Sequence, residues 1–129
     1  MATRDVFFTL TPEALTDKLC REYYVTLPED VATPEHQQEA VRLMSRINGY
    51  LSFLRVKQLQ AHLLKEGLTR DGAPRDEIDI AKMREVVLKC FVDLLSGNYA
   101  ALSRMCAVHE QAQRELMMTD GPRSRSRKE

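Results

Sequence analysis

Residues 33–66 form one continuous helical pattern, and this pattern restricts the fold more than any other feature of the sequence. Thr33-Pro34-Glu35 opens it: the threonine can cap the free amides, the proline suits the first helical position, and the glutamate favours the positive end of the dipole. Gly67 is the expected stop, with Leu68 packing back on Leu63 in a Schellman arrangement. Such a helix is roughly 50 Å long, which is long for a chain of 129 residues. Gly49 within it costs about 1 kcal/mol against alanine and marks either a close helix crossing or a bend.

The remaining segments read as shorter helices. Thr11-Pro12-Glu13 gives the same start signal, with Leu10 and Leu15 placed for a hydrophobic staple, so a first helix should run to about Tyr24. The loop TLPEDVATPE leads to the long helix, and TRDGAPRDE turns the chain after it. A third helix should start near Asp76, with Ile80, Met83, Val87, Cys90 and Leu94 spaced by alternating threes and fours as a narrow apolar seam that Val86 and Phe91 widen. Ser96-Gly97-Asn98 reads as a break, and a fourth helix from Tyr99 to about Met117 carries Ala101, Leu102, Met105, Ala112 and Leu116 on one face. The expected fold is therefore all-α: a small bundle of about four helices with one long central helix (33–66). Residues 11–118 form its single domain, between an N-terminal arm (1–10) and a disordered basic tail (119–129).

The charges balance, 19 basic against 19 acidic, so attraction to nucleic acid or to a membrane surface must come from a local patch. Cys20, Cys90 and Cys106 are odd in number and none forms a C-x-x-C pair, which disfavours a disulfide framework and a cysteine zinc site. They read as small buried apolar residues in a reducing compartment. The N-terminus has too short an apolar run for a signal peptide, and no run of eighteen consecutive apolar residues occurs. A cytoplasmic address is expected.

The long helix carries two candidate surfaces. At about 100° per residue, Leu43, Met44, Ile47, Tyr50, Leu51 and Leu54 cluster on one side, and Val56, Leu59 and Leu63 on nearly the opposite side. A helix whose apolar face changes sides either bends or touches two bodies, its own domain and a partner. Between Glu39 and Glu66 there is also no acidic residue, while Arg42, Arg46, Arg55, Lys57 and Lys65 are basic. Arg42, Arg46 and Lys57 share one sector with Phe53 and Gln60. Cations for phosphates beside a ring on which a base can stack are the ingredients of single-strand binding. The same charges equally describe a solvated face whose cations complement the helix dipole.

Catalytic and metal constellations are weak. His109-Glu110 opens like the zinc-protease H-E-x-x-H, but Gln113 stands where the second ligand belongs, and a satisfied core histidine is the simpler account. His62 has no acid one turn away on its own helix. Asp71, Asp76, Glu77 and Asp79 fit a calcium loop poorly and suit the start of a helix. No catalytic residue, no metal ligand and no cofactor is assigned, and the chain is not expected to be an enzyme. The tail residues Arg123, Arg125, Arg127 and Lys128 suit either a nucleic-acid-touching arm or a solubilising terminus.

Two segments, RINGYLSFLRVKQLQ and ALSRMCAVHE, resemble helices of the small helical subunit of type III CRISPR effector complexes. A leucine-arginine pair in a long helix and a later L-x-R-M-C run occur in the same order. The resemblance implies a bundle of about five helices that stacks as a filament along the crRNA–target duplex, contacts its backbone without sequence preference and has no catalysis of its own. Arg55 and Arg104 would be the matching basic residues, with Arg46 and Lys57 as neighbours.

The sequence thus points to a non-catalytic helical subunit of a larger protein or ribonucleoprotein complex. Its nucleic-acid candidates are Arg42, Arg46, Phe53, Arg55, Lys57 and Arg104, facing single-stranded RNA or an RNA duplex backbone. The alternative is a protein–protein adaptor, chaperone or regulator, self-associating or not, that works through Val56, Leu59 and Leu63.

Overall fold

The computed structural model describes residues 5–127, with side chains as far as Met118. A single 3₁₀ turn (Val6–Phe8) precedes three helices: α1 (Pro12–Tyr23), α2 (Pro34–Arg70) and α3 (Arg75–Arg127). No strand occurs among the described residues. Thr11 caps α1 by accepting from the Ala14 amide at 3.1 Å, and Thr33 caps α2 by accepting from the His36 amide at 3.1 Å. Both starts are where the Thr-Pro-Glu signals put them.

α2 and α3 form an antiparallel hairpin, and α1 lies along one side of it. The bend between them is a Schellman motif five residues later than expected. Gly67 stays helical, and Gly72 takes the left-handed φ of +70°. The Ala73 amide donates to the Leu68 carbonyl at 3.0 Å and the Gly72 amide to that of Thr69 at 3.3 Å. A glycine inside a helix costs only about 1 kcal/mol. The extra turn it permits carries Leu68, which lies half-buried.

The expected break at Ser96-Gly97-Asn98 is absent, so the described residues form three helices instead of four. Leu95 and Leu102, on either side of it, are both fully buried, and Tyr99 packs on the core between them. Keeping these side chains in register requires an unbroken helix. Burying each leucine is worth about 1.5–3 kcal/mol, more than Gly97 costs.

The core runs along the hairpin between Leu43, Ile47, Leu51 and Leu54 of α2 and Leu88, Leu95 and Leu102 of α3, and is closed at the side by Leu15 and Leu19 of α1. On α3 Ala81, Leu88, Leu95 and Leu102 are buried at every seventh position, and Phe91 and Val92 are buried beside them. The seam expected there lies alongside: Ile80, Met83 and Leu94 are 40%, 51% and 44% exposed. The small Ala61 and Ala81 are both buried, and they let the two backbones approach near the bend. Gly49 marks no close crossing, since a side chain there would meet nothing within 4 Å.

The cysteines also depart from expectation. Cys20 and Cys90 are exposed and Cys106 is half-buried, and all three are free thiols. At the N-terminus, Asp5 caps the 3₁₀ turn by accepting from the Phe7 amide at 2.9 Å, and Phe7 enters the core. Arg84 of α3 donates to the Leu10 carbonyl at 2.7 Å. The basic tail, 119–129, falls outside the residues whose side chains are described. Residues 1–4 of the N-terminal arm do likewise.

Candidate functional site

The six nucleic-acid candidates do not form one surface. Phe53 is part of an aromatic cluster, edge-on to Phe7 at 5.7 Å and stacked with Tyr23 at 6.1 Å between centroids. Lys57 lies 5.3 Å from the centre of the Phe53 ring and 5.5 Å from that of Phe7, and its ammonium is paired with Asp5. Burial pushes the Asp5 carboxyl up, but the Lys57 ammonium and the Phe7 amide outweigh it and hold the group below its usual range. The Lys57 side chain is only 15% exposed. Lysine and ring together clamp the N-terminal segment onto α2, and a phosphate at Lys57 would have to displace Asp5.

Arg42 and Arg46 are exposed on the N-terminal half of α2, and Arg42 edges a shallow hollow beside Pro34 and Val41. Arg55 reaches across to Ser96 of α3 at 3.4 Å. Arg104 is exposed on α3, where it lines a groove against residues 29–32 with Met105 and Val108. Arg55 and Arg104, the pair the CRISPR-subunit resemblance implied, thus line different concavities.

The three partner candidates do come together. Val56, Leu59 and Leu63 are 53%, 58% and 59% exposed and follow one another at spacings of three and four, a single stripe along α2. Its rim is polar and tied down. Glu85 of α3 accepts from Lys65 at 3.0 Å with one oxygen and meets His62 Nδ1 at 3.0 Å with the other. Burial raises the Glu85 carboxyl, but Lys65 and His62 prevail and hold it below its usual value, while Glu85 raises Lys65. Arg55, Gln58, Leu59, His62 and Glu85 line a concavity of about 470 Å³ beside the stripe. Glu85 was not legible as a site residue. His62 lacks an acid on its own helix, and the one it uses comes from 23 residues further on.

The other histidines are engaged in structural contacts. His109 Nε2 lies 2.6 Å from the Gln37 amide nitrogen, which also donates to the Val31 carbonyl at 3.1 Å. His36 meets Asp30 at 3.2 Å on the surface. Among the described residues no group of three His, Cys, Asp or Glu side chains is placed to hold a metal ion. Within Arg75–Met118 of α3, one window of 18 residues has a mean hydropathy of 1.2, enough by length and composition to cross a membrane, and 28% of that window is buried in this chain. No family model, no curated protein and no solved structure matches the chain.

Proposed function

We propose that this chain is a non-catalytic helical subunit of a larger assembly, an adaptor that holds an amphipathic helix of a partner protein on Val56, Leu59 and Leu63. The observation that carries the reading is the exposure of these three large side chains in one stripe on a rigid hairpin. Exposed apolar groups that line up and are rimmed by polar residues mark interaction sites. Spacings of three and four match the anchors of a helix laid along a groove. The Glu85–Lys65–His62 cluster fixes one edge of the stripe and offers both signs of charge to a partner's rim. A cytoplasmic address belongs to this reading, in keeping with three free thiols.

Nucleic-acid backbone binding within a ribonucleoprotein is the second reading. The exposure of Arg42 and Arg46 favours it. It has less to draw on, because Lys57 and Phe53 are committed to the N-terminal clamp.

The test is recovery of the tagged full chain from its native cells with whatever co-purifies in stoichiometric amount. Leu59→Asp with Leu63→Asp should release that protein, and Arg42→Glu with Arg46→Glu should leave it bound. In parallel, labelled single-stranded RNA is titrated at low and moderate salt. Retention by the Leu59/Leu63 variant, together with salt-sensitive RNA binding lost in the arginine variant, would replace the adaptor by the ribonucleoprotein subunit.

A further inference from the structure

The second half of α2 leaves one of its charges unanswered. From Arg55 to Arg70 the helix carries four basic residues, Arg55, Lys57, Lys65 and Arg70. Lys57 meets Asp5, Lys65 meets Glu85 at 3.0 Å, and Arg70 meets Asp71 at 4.0 Å. Arg55 pairs with no carboxylate among the described residues. Its guanidinium meets only the Ser96 hydroxyl, at 3.4 Å, which is long for a hydrogen bond from nitrogen to oxygen. No acid stands three or four residues away on its own helix, where Leu51, Ser52, Gln58 and Leu59 lie.

Arg55 is exposed beside Val56 and one turn before Leu59, on the side of the stripe that faces α3. With Gln58, Leu59, His62 and Glu85 it lines the concavity of about 470 Å³ between α2 and α3. A helix seated on Val56, Leu59 and Leu63 brings the residues flanking its own anchors over this hollow. What the hollow accepts is decided by Glu85. Its two oxygens are taken by Lys65 and His62, both at 3.0 Å, and its carboxyl titrates below its ordinary value, so it is charged at neutral pH. A phosphate monoester carries about two negative charges and a nucleic-acid strand a row of them, and either would press that charge against Glu85. A carboxylate brings one, on two oxygens that match the planar fork of a guanidinium. An ammonium would meet Arg55 as a like charge, and the Glu85 oxygens that could offset it are engaged.

We infer that this concavity is a carboxylate pocket: the partner helix on α2 is acidic beside its apolar anchors, and an Asp or Glu side chain of it seats on Arg55. A carboxylate there presupposes a helix on the stripe, so the pocket rests on the adaptor reading and specifies the chemistry of its partner. Arg46 lies nine residues from Arg55, roughly 13 Å along the helix, and takes no part.

The test uses the full chain and three labelled synthetic helical peptides. They share leucine anchors at spacings of three and four and differ only at the positions flanking those anchors on one side, which hold glutamate, glutamine or lysine. By fluorescence anisotropy, up to several hundred micromolar protein, the glutamate peptide should bind at least about fivefold tighter than the glutamine peptide. Arg55→Gln should abolish that preference, and Arg55→Glu should reverse it in favour of the lysine peptide. Leu59→Asp should remove the binding of all three. Circular dichroism and melting temperature serve as controls on folding. Equal binding of the glutamate and glutamine peptides, a preference that survives Arg55→Gln, or no binding of any peptide overturns the inference. Equal binding that is still lost in Leu59→Asp overturns the pocket and leaves the adaptor stripe standing, whereas peptide binding indifferent to Leu59→Asp counts against the stripe itself and overturns both. Labelled single-stranded RNA is run on the same samples. RNA that displaces the glutamate peptide from the wild type and binds Arg55→Gln more weakly assigns Arg55 to phosphate and overturns the pocket.

Discussion

The two halves of α2 carry similar side chains and use them in opposite ways. From Ala40 to Leu54 the leucines and the isoleucine, Leu43, Ile47, Leu51 and Leu54, all point into the core, while Val41 and Phe53 are exposed. From Arg55 to Arg70 only Ala61 is buried, while Val56, Leu59, Leu63 and Leu64 lie outside, at least 42% exposed. Polar contacts tie that half to the rest instead: Lys57 to Asp5, and His62 and Lys65 to Glu85. Hydrophobic content alone therefore does not locate the core of this chain. Where a fold needs two helices close together it uses alanine, and the leucines beside that alanine remain available for a partner.

The largest effect should appear in the first half. Leu54 is fully buried, and Leu54→Ala should cost about 2–5 kcal/mol, read as a drop in the urea midpoint with an unchanged slope. A loss below about 1 kcal/mol would mean that the two halves are packed alike.

Next comes the junction between the halves. Asp5→Ala strips the partner from a Lys57 ammonium that is mostly enclosed and removes the cap on the Phe7 amide. The expected cost is about 1–3 kcal/mol. Asp5→Asn keeps an acceptor for the amide and should cost less than Asp5→Ala by chemical denaturation. Equal costs would show that the charge, and not the cap, holds the N-terminal segment.

How much of this could be read from the sequence follows from the range of the interactions. The helical class, both Thr-Pro-Glu starts and the side-switching of α2 at Phe53–Val56 were legible because each rests on neighbours within one or two turns. Gly67 and Gly97 misled because a helix breaker is a local penalty, outweighed where Leu68, or Leu95 and Leu102, needs the next turn to stay in register. Of the seam from Ile80 to Leu94, Val87 packs against the core and Ile80, Met83, Cys90 and Leu94 are exposed. Spacing shows that residues share a face, not what the face meets. The basic stripe lost Lys57 to Asp5, 52 residues away, and His62 gained Glu85, 23 residues away. No spacing rule reaches that far.

A smaller effect separates the polar tethers by pH. Asp5 and Glu85 have carboxyl groups held below their ordinary values of 3.8 and 4.5. A group depressed on folding contributes its full stability above the unfolded value and loses it as the pH falls through the folded one. Melting temperature should therefore hold steady down to about pH 5 and decline below the mid-4s. Glu85→Gln should cost about 1 kcal/mol at neutral pH and flatten part of the decline. An unchanged acid profile in Glu85→Gln would take the His62–Glu85–Lys65 cluster out of the account of what holds the second half.

The smallest effect is expected at the residues that look most like core in the sequence. Leu63 is 59% exposed, so Leu63→Ala leaves no cavity and gives up little buried area. The shift in stability should stay within about 0.5 kcal/mol in either direction, against several for Leu54→Ala on the same helix. Alanine is also the best helix former, which offsets part of whatever packing is lost. A destabilisation of about 2 kcal/mol or more by urea denaturation would place Leu63 in a buried environment. If that loss grew with protein concentration, the burial would come from a second copy on the α2 stripe, because truncating an interface residue costs most where the dimer is populated. If it did not, the side chain would be packed within its own chain, and the difference between the two halves of α2 would disappear.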